Sequence, residues 1–201
     1  MKYDFTSIMD RRGKDAIAVD GFGRPGFGPS ENAPGQFDMI PMWVADMNFP
    51  TAPSIIEAMR TRLEHPAFGY FATTDAYYDG IIRWHETRNG VTGLTKECIG
   101  YENGVLGGVI SALRVVCSQG DKVLVHSPTY VGFTGVLENN GFQIVHSDLK
   151  RDDQGVWRMD FDDMEAKLRD GHIHAAVFCS PHNPCGRVWE RWELEKAMEL
   201  F

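Results

Sequence analysis

The segment with the clearest chemical content is residues 180–187, with the sequence SPHNPCGR. It follows the apolar run 175–179, which predicts a buried strand. In open α/β sheets, ligands bind in the crevice beyond the carboxyl ends of the strands. Because prolines flank Asn183 and Gly186 permits a turn, the loop predicts a rigid holder for one amide side chain. The same residues are equally compatible with a tight turn that only precedes a helix.

Two further strand ends carry residue types that bind ligands. Residues 103–108, NGVLGG, join a predicted strand to a helix, and backbone N–H groups at a helix start bind anions. No Gly-Lys-Ser/Thr sequence follows, which weakens an ATPase interpretation. Residues 127–130, SPTY, follow the next strand, and the ring of Tyr130 can stack on a flat ligand. Each feature alone is also compatible with a structural turn or a core-capping aromatic, but with Asn183 they predict a pocket for a flat, phosphorylated heterocycle.

The order of the predicted elements indicates the fold class. From residue 51 onward, stretches with helical periodicity alternate with short apolar strands. This alternation predicts an α/β fold with a mainly parallel sheet covered by helices. The predicted helices lie between residues 51 and 66, at 75–88, 106–117, 130–139 and 161–169 with Asp160 as cap, and from 190 onward; the predicted strands are 98–102, 122–126, 142–147 and 175–179, with a polar turn at 152–155.

Composition limits the partners that this chain can bind. The 201 residues are 43% hydrophobic and 24% charged, with a net charge of -8, which argues against nucleic-acid and anionic-membrane surfaces because those partners need clustered Lys and Arg. The chain shows no run of about 18 apolar residues and no signal-peptide pattern, so a cytoplasmic location is expected. Four cysteines without CxxC spacing predict reduced thiols and no metal site: Cys98, Cys117, Cys179 and Cys185.

Four motifs, in their order along the chain, resemble one known family. They are PMWVADMNF at residues 41–49, FGY at 68–70, SPTY at 127–130 and NPCGRVW at 183–189. The set resembles the fold-type I pyridoxal-phosphate-dependent aminotransferase superfamily. Its first and last motifs resemble the branch of cystathionine β-lyase-like C–S lyases.

The resemblance implies a domain organisation and a partner. Residues 51–201 would form the large pyridoxal-phosphate-binding domain, three-layered and incomplete in this chain. Residues 1–50 are rich in Gly and Pro without sustained helical periodicity, and they would form an extended arm and part of a small domain. Tyr70 would reach the cofactor phosphate in a neighbouring subunit, which implies a homodimer with shared active sites.

The resemblance also assigns roles toward pyridoxal 5'-phosphate. Backbone amides around Leu106 and Gly107 would bind the cofactor phosphate. Tyr130 would stack on the pyridine ring, and Asn183 would hydrogen-bond to the phenolic oxygen of that ring. These residues occupy the strand ends at which the sequence pattern alone predicts a pocket.

A second set of roles concerns the substrate, which the resemblance implies is a small amino acid. Val44 and Ala45 would lie near the substrate carboxylate, with Trp43 close by. Trp43 is equally compatible with a buried aromatic position within the arm. Arg187 is expected to brace its loop rather than bind the substrate.

The catalytic residues of the resembled family have no counterpart in this chain. The family uses a Schiff-base lysine and an aspartate that pairs with the pyridine nitrogen, and both would follow Phe201. None of the seven lysines lies in a matching context. Without that lysine the α-proton has no base, so no catalytic residue is assigned and the isolated chain is expected to be inactive.

Three functions remain open at this point. The first is a C–S lyase that removes the α-proton of a cysteine-type amino acid and expels a thiol by β-elimination, leaving pyruvate and ammonia. The second is an aminotransferase that passes the amino group to a keto acid. The third belongs to a different class, a non-catalytic fragment or dimerising module whose open sheet edges would expose apolar surface.

Overall fold

The computed structural model describes residues 3–24 and 40–201. The chain forms two compact units, Met1–Ala72 and Thr73–Phe201. Residues 51–72, which the sequence-based division assigns to the large domain, therefore group with the first unit. The part of the predicted arm at residues 25–39 lies outside the described residues.

The first unit contains a single-turn helix α1 (Ile17–Asp20) and a longer helix α2 (Pro53–Leu63). The predicted helix between residues 51 and 66 is confirmed, and Pro53 occupies its first turn, where a missing N–H costs no hydrogen bond. Its apolar positions are 37% to 61% exposed, so the described residues leave this stripe uncovered: Ile55, Ile56, Met59 and Leu63.

The second unit begins with helix α3 (Asp75–Asn89), which ends at Gly90 in the left-handed conformation, φ 65°. This confirms the predicted helix and its stop at Asn89-Gly90. The predicted strand at 98–102 is wrong. Lys96–Cys98 forms a 3₁₀ turn, and Ile99 has extended dihedrals. No strand among the described residues pairs with this segment, and pairing is what makes an extended segment a strand.

A three-stranded parallel sheet forms the centre of the second unit. Its strands are β1 (Lys122–Ser127), β2 (Gln143–Asp148) and β5 (Ala176–Val177), in the order β2-β1-β5. Helix α4 (Val105–Val116) precedes β1, and helix α5 (Val131–Asn139) connects β1 to β2. The predicted parallel pairing is confirmed, because Val125 of the central strand aligns with His146 on one side and Val177 on the other.

A short antiparallel hairpin was not predicted. It pairs β3 (Lys150–Arg151) with β4 (Trp157–Arg158) around the predicted polar turn. One carboxylate oxygen of Asp152 accepts hydrogen bonds from the backbone N–H groups of Gln154 and Val156, at 3.0 and 2.9 Å. Two-residue strands are too short to show an alternation of apolar and polar residues, so the sequence pattern revealed only the turn.

Helices α6 (Phe161–Gly171) and α7 (Arg191–Leu200) complete the second unit. The predicted cap is confirmed: the Asp160 side chain accepts a hydrogen bond from the backbone N–H of Asp163. Helix α7 begins with a reciprocal capping box between Glu190 and Glu193. None of the described helices combines the length and the apolar content that a membrane span needs.

The central strand β1 places its side chains alternately on the two faces of the sheet. On one face, Val123 and Val125 are fully buried in a cluster with Ile110, Leu113 and Leu137, which belong to α4 and α5. On the opposite face, His126 contacts Met164 of α6, with the Nε2 and Sδ atoms 3.3 Å apart. Helices therefore cover both faces, and the carboxyl ends of the parallel strands share one edge.

Candidate functional site

The loop that follows β5 is a closed turn. The backbone N–H of His182 donates to the carbonyl oxygen of Arg187 at 2.8 Å, and the N–H of Gly186 donates to the carbonyl of His182 at 2.7 Å. Gly186 has φ 65°, which favours glycine. Asn183 stands exposed at the tip of this turn, and its side chain has no hydrogen-bond partner among the described residues. The predicted rigid presentation of the amide agrees with this geometry.

Arg187 fixes the base of the loop. Its Nε donates to the carbonyl oxygen of Trp157 at 3.0 Å, and its guanidinium reaches a carboxylate oxygen of Glu193 at 2.6 Å. Glu193 is fully buried, and Arg158 shares its other oxygen at 3.2 Å. These contacts are of the bracing kind that the sequence predicts for Arg187. They couple residues 180–187, here called the asparagine loop, to β4 and to the first turn of α7.

His182 connects the asparagine loop to the loop that carries Tyr130. It is 2% exposed, and its Nε2 lies 2.8 Å from the carbonyl oxygen of Pro128. A carbonyl oxygen only accepts, so Nε2 carries the hydrogen of the ring, while Nδ1 is buried without a partner among the described residues. His182 was not identified as a functional residue from the sequence. The only feature of the sequence that could have indicated it is its position next to Asn183.

His126 forms the apolar floor beneath these loops. It is 2% exposed, and its ring stands edge-on to that of Phe178, with centroids 5.6 Å apart. Burial, with a smaller contribution from the neighbouring His182 ring, lowers the pKa of His126 to about 4. The imidazole is therefore neutral near pH 7, and it serves as an aromatic packing group rather than a charge.

Tyr130 follows the carboxyl end of β1 and immediately precedes α5. Its ring is held edge-on against Phe133, with centroids 5.4 Å apart and the planes at 89°, and the side chain remains 40% exposed. The ring also lies over Gly132, where an added Cβ would stand 2.3 Å from a Tyr130 ring carbon. Gly132 is therefore required for this ring position, a role that the sequence did not reveal.

The turn before α4 leaves backbone donors open. Gly104 has φ 83° and ψ 167°, a conformation that is essentially restricted to glycine, and no side chain caps the helix. The first N–H groups of a helix have no partner within it, which here includes those of Leu106 and Gly107. A Cβ at Gly104 would meet nothing within 4 Å, and one at Gly107 only the Glu102 carboxylate, at 3.8 Å. The turn can therefore admit an anion.

The topology brings these groups to one edge of the sheet. The strands β1 and β5 are parallel neighbours, so the loops that carry Tyr130 and Asn183 leave the same edge, and His182 bridges them. The short turn at 117–121 reverses the chain between α4 and β1, which returns the start of α4 to that edge. Residues 103–108, here called the anion turn, thus lie on the same side of the second unit as the Tyr130 ring and the Asn183 amide.

Trp43, predicted to lie near a substrate carboxylate, belongs to the first unit. Its indole Nε1–H donates to the carbonyl oxygen of Ala18 at 3.0 Å. Its ring contacts Gly21, where an added Cβ would lie 2.9 Å from a Trp43 ring carbon. Trp43 is half-buried, as expected for the alternative in which it packs within the arm. Its predicted place near the substrate remains a prediction.

The other predicted residues of the first unit have varied exposure. Val44 is half-buried, and its carbonyl oxygen accepts a hydrogen bond from the Asp46 N–H at 2.9 Å. Ala45 and Tyr70 are exposed, and the Tyr70 side chain is exposed over its whole surface. Arg11 holds this segment through an ion pair with Asp46 at 2.5 Å.

A family model for aminotransferase class I and II matches residues 38–201, which includes every element of the second unit. The chain belongs to this family. The match supports the resemblance that the four sequence motifs indicated.

Three similar proteins indicate which members of the family this chain resembles. Cystathionine beta-lyase PatB of Bacillus subtilis is 38% identical over 166 residues, 83% of this chain and 42% of PatB. The PLP-bound C-S lyase from Staphylococcus hominis has a TM-score of 0.80 at 32% identity, covering 98% of this chain and 48% of that one. The PLP-bound putative aminotransferase from Clostridium difficile 630 has a TM-score of 0.81 at 32% identity, covering 99% and 49%. The chain therefore spans about half the length of the relatives it matches.

The groups at the strand-end edge fit pyridoxal phosphate, the cofactor named in those two solved structures. Open N–H groups at the start of α4 suit a phosphate, because they are preoriented donors at the positive end of the helix dipole. The exposed Tyr130 ring offers a stacking surface, and the unpartnered Asn183 amide offers a donor. Tyr130 and Asn183 are exposed, whereas Leu106 and Gly107 are half-buried.

Proposed function

We propose that this chain is the cofactor-holding portion of a pyridoxal-phosphate-dependent C–S lyase. The reaction is β-elimination on cysteine-type amino acids, which yields a thiol, pyruvate and ammonia. The observation that supports the proposal is the topology, in which the turn before α4 and the loops of Tyr130 and Asn183 all lie at the carboxyl-end edge of the sheet. Relatives described as a cystathionine beta-lyase and as a C-S lyase support the reaction class.

Each residue of the edge has a separate task in this proposal. The amides of Leu106 and Gly107 hold the phosphate, Tyr130 covers one face of the pyridine ring, and Asn183 donates a hydrogen bond to the phenolic oxygen. When bound, pyridoxal phosphate supplies the electron sink for the carbanion that forms on removal of the α-proton. The rigid loops position that ring so that little ordering remains to be done on binding.

The proposed substrate contacts come from residues 43–45. Val44 and Ala45, with Trp43 close by, lie near the substrate carboxylate. Tyr70 of each subunit reaches the phosphate held by the other subunit of a homodimer. The exposed phenol of Tyr70 leaves it free for such a contact.

The 201 residues contain no lysine in the context of the family's Schiff-base lysine. We expect them alone to bind pyridoxal phosphate without turnover, because that lysine would be the base for the α-proton. Titration of the purified chain with pyridoxal phosphate, followed by quenching of tryptophan fluorescence, measures this binding. Sizing of the same sample reports whether a dimer forms. A chain that binds no cofactor at any concentration would favour the non-catalytic module instead.

The decisive experiment joins this chain to the portion of Bacillus subtilis PatB that it does not match. The fusion should release thiol and pyruvate from cystathionine in the presence of pyridoxal phosphate. The same fusion with Asn183→Ala is the matched control, and it should bind the cofactor more weakly. A folded, cofactor-loaded fusion that releases neither product contradicts the lyase assignment.

An aminotransferase is the second candidate. It is favoured by the family model and by the Clostridium difficile structure, which is described as a putative aminotransferase. Product analysis of the fusion separates the two reactions. Pyruvate with free ammonia identifies the lyase, whereas a new amino acid formed from an added keto acid identifies the transferase.

A further inference from the structure

Three side chains meet at the edge of the sheet opposite the candidate site. Cys117 ends α4, Asp121 precedes β1, and His174 precedes β5. The ligand atoms of the thiol, the carboxylate and the imidazole all lie within 4.8 Å of one another. Among residues 3–24 and 40–201, this is the one such group of three metal-binding side chains. It lies at the amino ends of the strands, so it takes no part in the proposed cofactor pocket.

The spacing suits a small tetrahedral cation. The Cys117 sulfur and the His174 Nε2 are 3.8 Å apart. Zinc binds thiolate sulfur at about 2.3 Å and imidazole nitrogen at about 2.0 Å, which separates the two ligand atoms by about 3.6 Å in a tetrahedron. This pair therefore needs to close by only a few tenths of an ångström. Asp121 supplies a third ligand, which leaves the fourth position for water.

The backbone around the cluster favours a positive charge. The carbonyl groups at the end of α4 form the negative end of its dipole, and that of Val116 lies 3.0 Å from the His174 Nε2. The Ser118 N–H donates to one carboxylate oxygen of Asp121 at 2.8 Å, which orients that carboxylate and leaves its other oxygen open. His174 is exposed, so its ring can exchange the Val116 carbonyl for a cation.

The thiol of Cys117 is 7% exposed, and burial, followed by the charge of Asp121, raises its pKa. The thiolate is the form of cysteine that binds a cation of the zinc class.

We propose that Cys117, Asp121 and His174 form a binding site for a thiolate-preferring divalent cation of the zinc class. The ion clamps the end of α4 to the starts of β1 and β5. The sequence predicted no metal site, because these ligands are spread over 58 positions and match no short motif. The proposal is independent of the cofactor chemistry at the opposite edge.

The test uses the purified 201-residue chain, freed of metal by dialysis against a chelator. Titration with Co²⁺ should produce one thiolate-to-cobalt charge-transfer band that saturates at one ion per chain, and Zn²⁺ should displace it. His174→Asn should weaken binding more than about a hundredfold, since losing a ligand should exceed the 10- to 100-fold cost of losing an outer partner. Cys117→Ser should abolish the band.

Two matched variants control for nonspecific binding. His172→Asn changes an exposed neighbouring histidine and keeps a residue that tolerates the left-handed conformation seen there, φ 49°. Cys98→Ser removes an exposed thiol elsewhere. Both should bind Co²⁺ like the unmodified chain. Absence of the charge-transfer band in the unmodified chain, or equal loss of it in either control, overturns the proposal. His174 is exposed, so its variant should fold even if that of buried Cys117 does not.

Discussion

The asparagine loop and the anion turn lie at the same edge of the sheet, yet they are held in opposite ways. Two side chains brace the loop: Arg187 binds Glu193 at 2.6 Å, and His182 binds the Pro128 carbonyl at 2.8 Å. The anion turn has no capping side chain, and a Cβ at Gly104 would meet nothing within 4 Å. The loop is complete without a ligand, whereas the turn has open N–H donors.

Under the proposed function, the difference separates two ways of contacting the cofactor. The braced loop presents Asn183 in place before binding, so little conformational entropy is lost there. The open turn gains partners for its N–H groups only when an anion arrives, so a ligand should stabilise it more. Substitution of a bracing side chain such as Arg187 should therefore change the stability of the chain, whereas a methyl group added at Gly107 should change its response to phosphate.

The largest expected effect follows from Arg187→Ala. The change leaves Glu193 fully buried with Arg158 as its remaining cation, and removal of one partner from a buried pair costs about 3 kcal/mol or more. Urea unfolding should show this loss. Arg191→Ala is the control, because its pair with Glu195 is exposed and should contribute no more than about 0.5 kcal/mol. Equal effects from both variants would contradict the braced description of the loop.

A second effect concerns pH and the floor of the loops. The pKa of His126 is about 4 in the folded chain and about 6.5 when unfolded, so the unfolded state binds more protons between these values. Stability is therefore fully present above about pH 6.5 and falls as the pH decreases toward 4. We expect the free energy of unfolding to be about 2 kcal/mol lower at pH 5 than at pH 7.

The comparison for this pH effect is His126→Phe, which retains an aromatic ring and removes the titration. Between pH 7 and pH 5 the unmodified chain should lose about 2 kcal/mol more unfolding free energy than this variant does. Ordinary carboxylates are mostly ionised throughout this window, so their contribution should be small and equal in both proteins. An unchanged pH dependence in the variant would show that another group is responsible.

Local pattern predicted most of the second unit because each element carries its own signal. The helix at Val105–Val116 and the strand at Lys122–Ser127 match the predicted spans to within a residue. Prediction failed where pairing depends on distant residues. The segment at 98–102 has strand-like composition, but the described chain offers it no neighbour. Hydrophobic alternation reports a preference for extended backbone and says nothing about the strand that must accept it.

In the candidate site, too, the residues next to a clear element were predicted and those that depend on distant contacts were not. Asn183, Tyr130 and the turn at Gly107 could be found because each immediately follows or precedes an element with a clear pattern. His182 and Gly132 could not, because their roles depend on contacts across loops: one reaches the Pro128 carbonyl, and the other leaves space for a ring. A sequence shows which groups are available at a strand end, but not which neighbours hold them there.

A smaller effect is expected at the open turn. Gly104→Ala places a side chain at φ 83° and ψ 167°, and this strain should cost about 1 to 2 kcal/mol of unfolding free energy. Gly107→Ala is the matched comparison within the helix, where alanine is favoured by up to about 1 kcal/mol. Its methyl group stands where the phosphate should approach, so stability should rise while phosphate-induced stabilisation falls. Thermal unfolding with and without inorganic phosphate measures both quantities.

The smallest change in stability should come from substitution of Asn183, the residue proposed to contact the cofactor. Asn183 is exposed and has no side-chain partner among the described residues, so Asn183→Ala should alter the free energy of unfolding by no more than about 0.5 kcal/mol. The affinity for pyridoxal phosphate should fall about tenfold, because one hydrogen bond to the ring is lost. Asn183→Asp keeps the shape of the side chain and removes the N–H donor, so a loss at least as large as that of the alanine variant would identify donation as the role of the amide. Retained affinity in both variants would assign the loop a structural role, with its braced geometry serving the fold and not the cofactor.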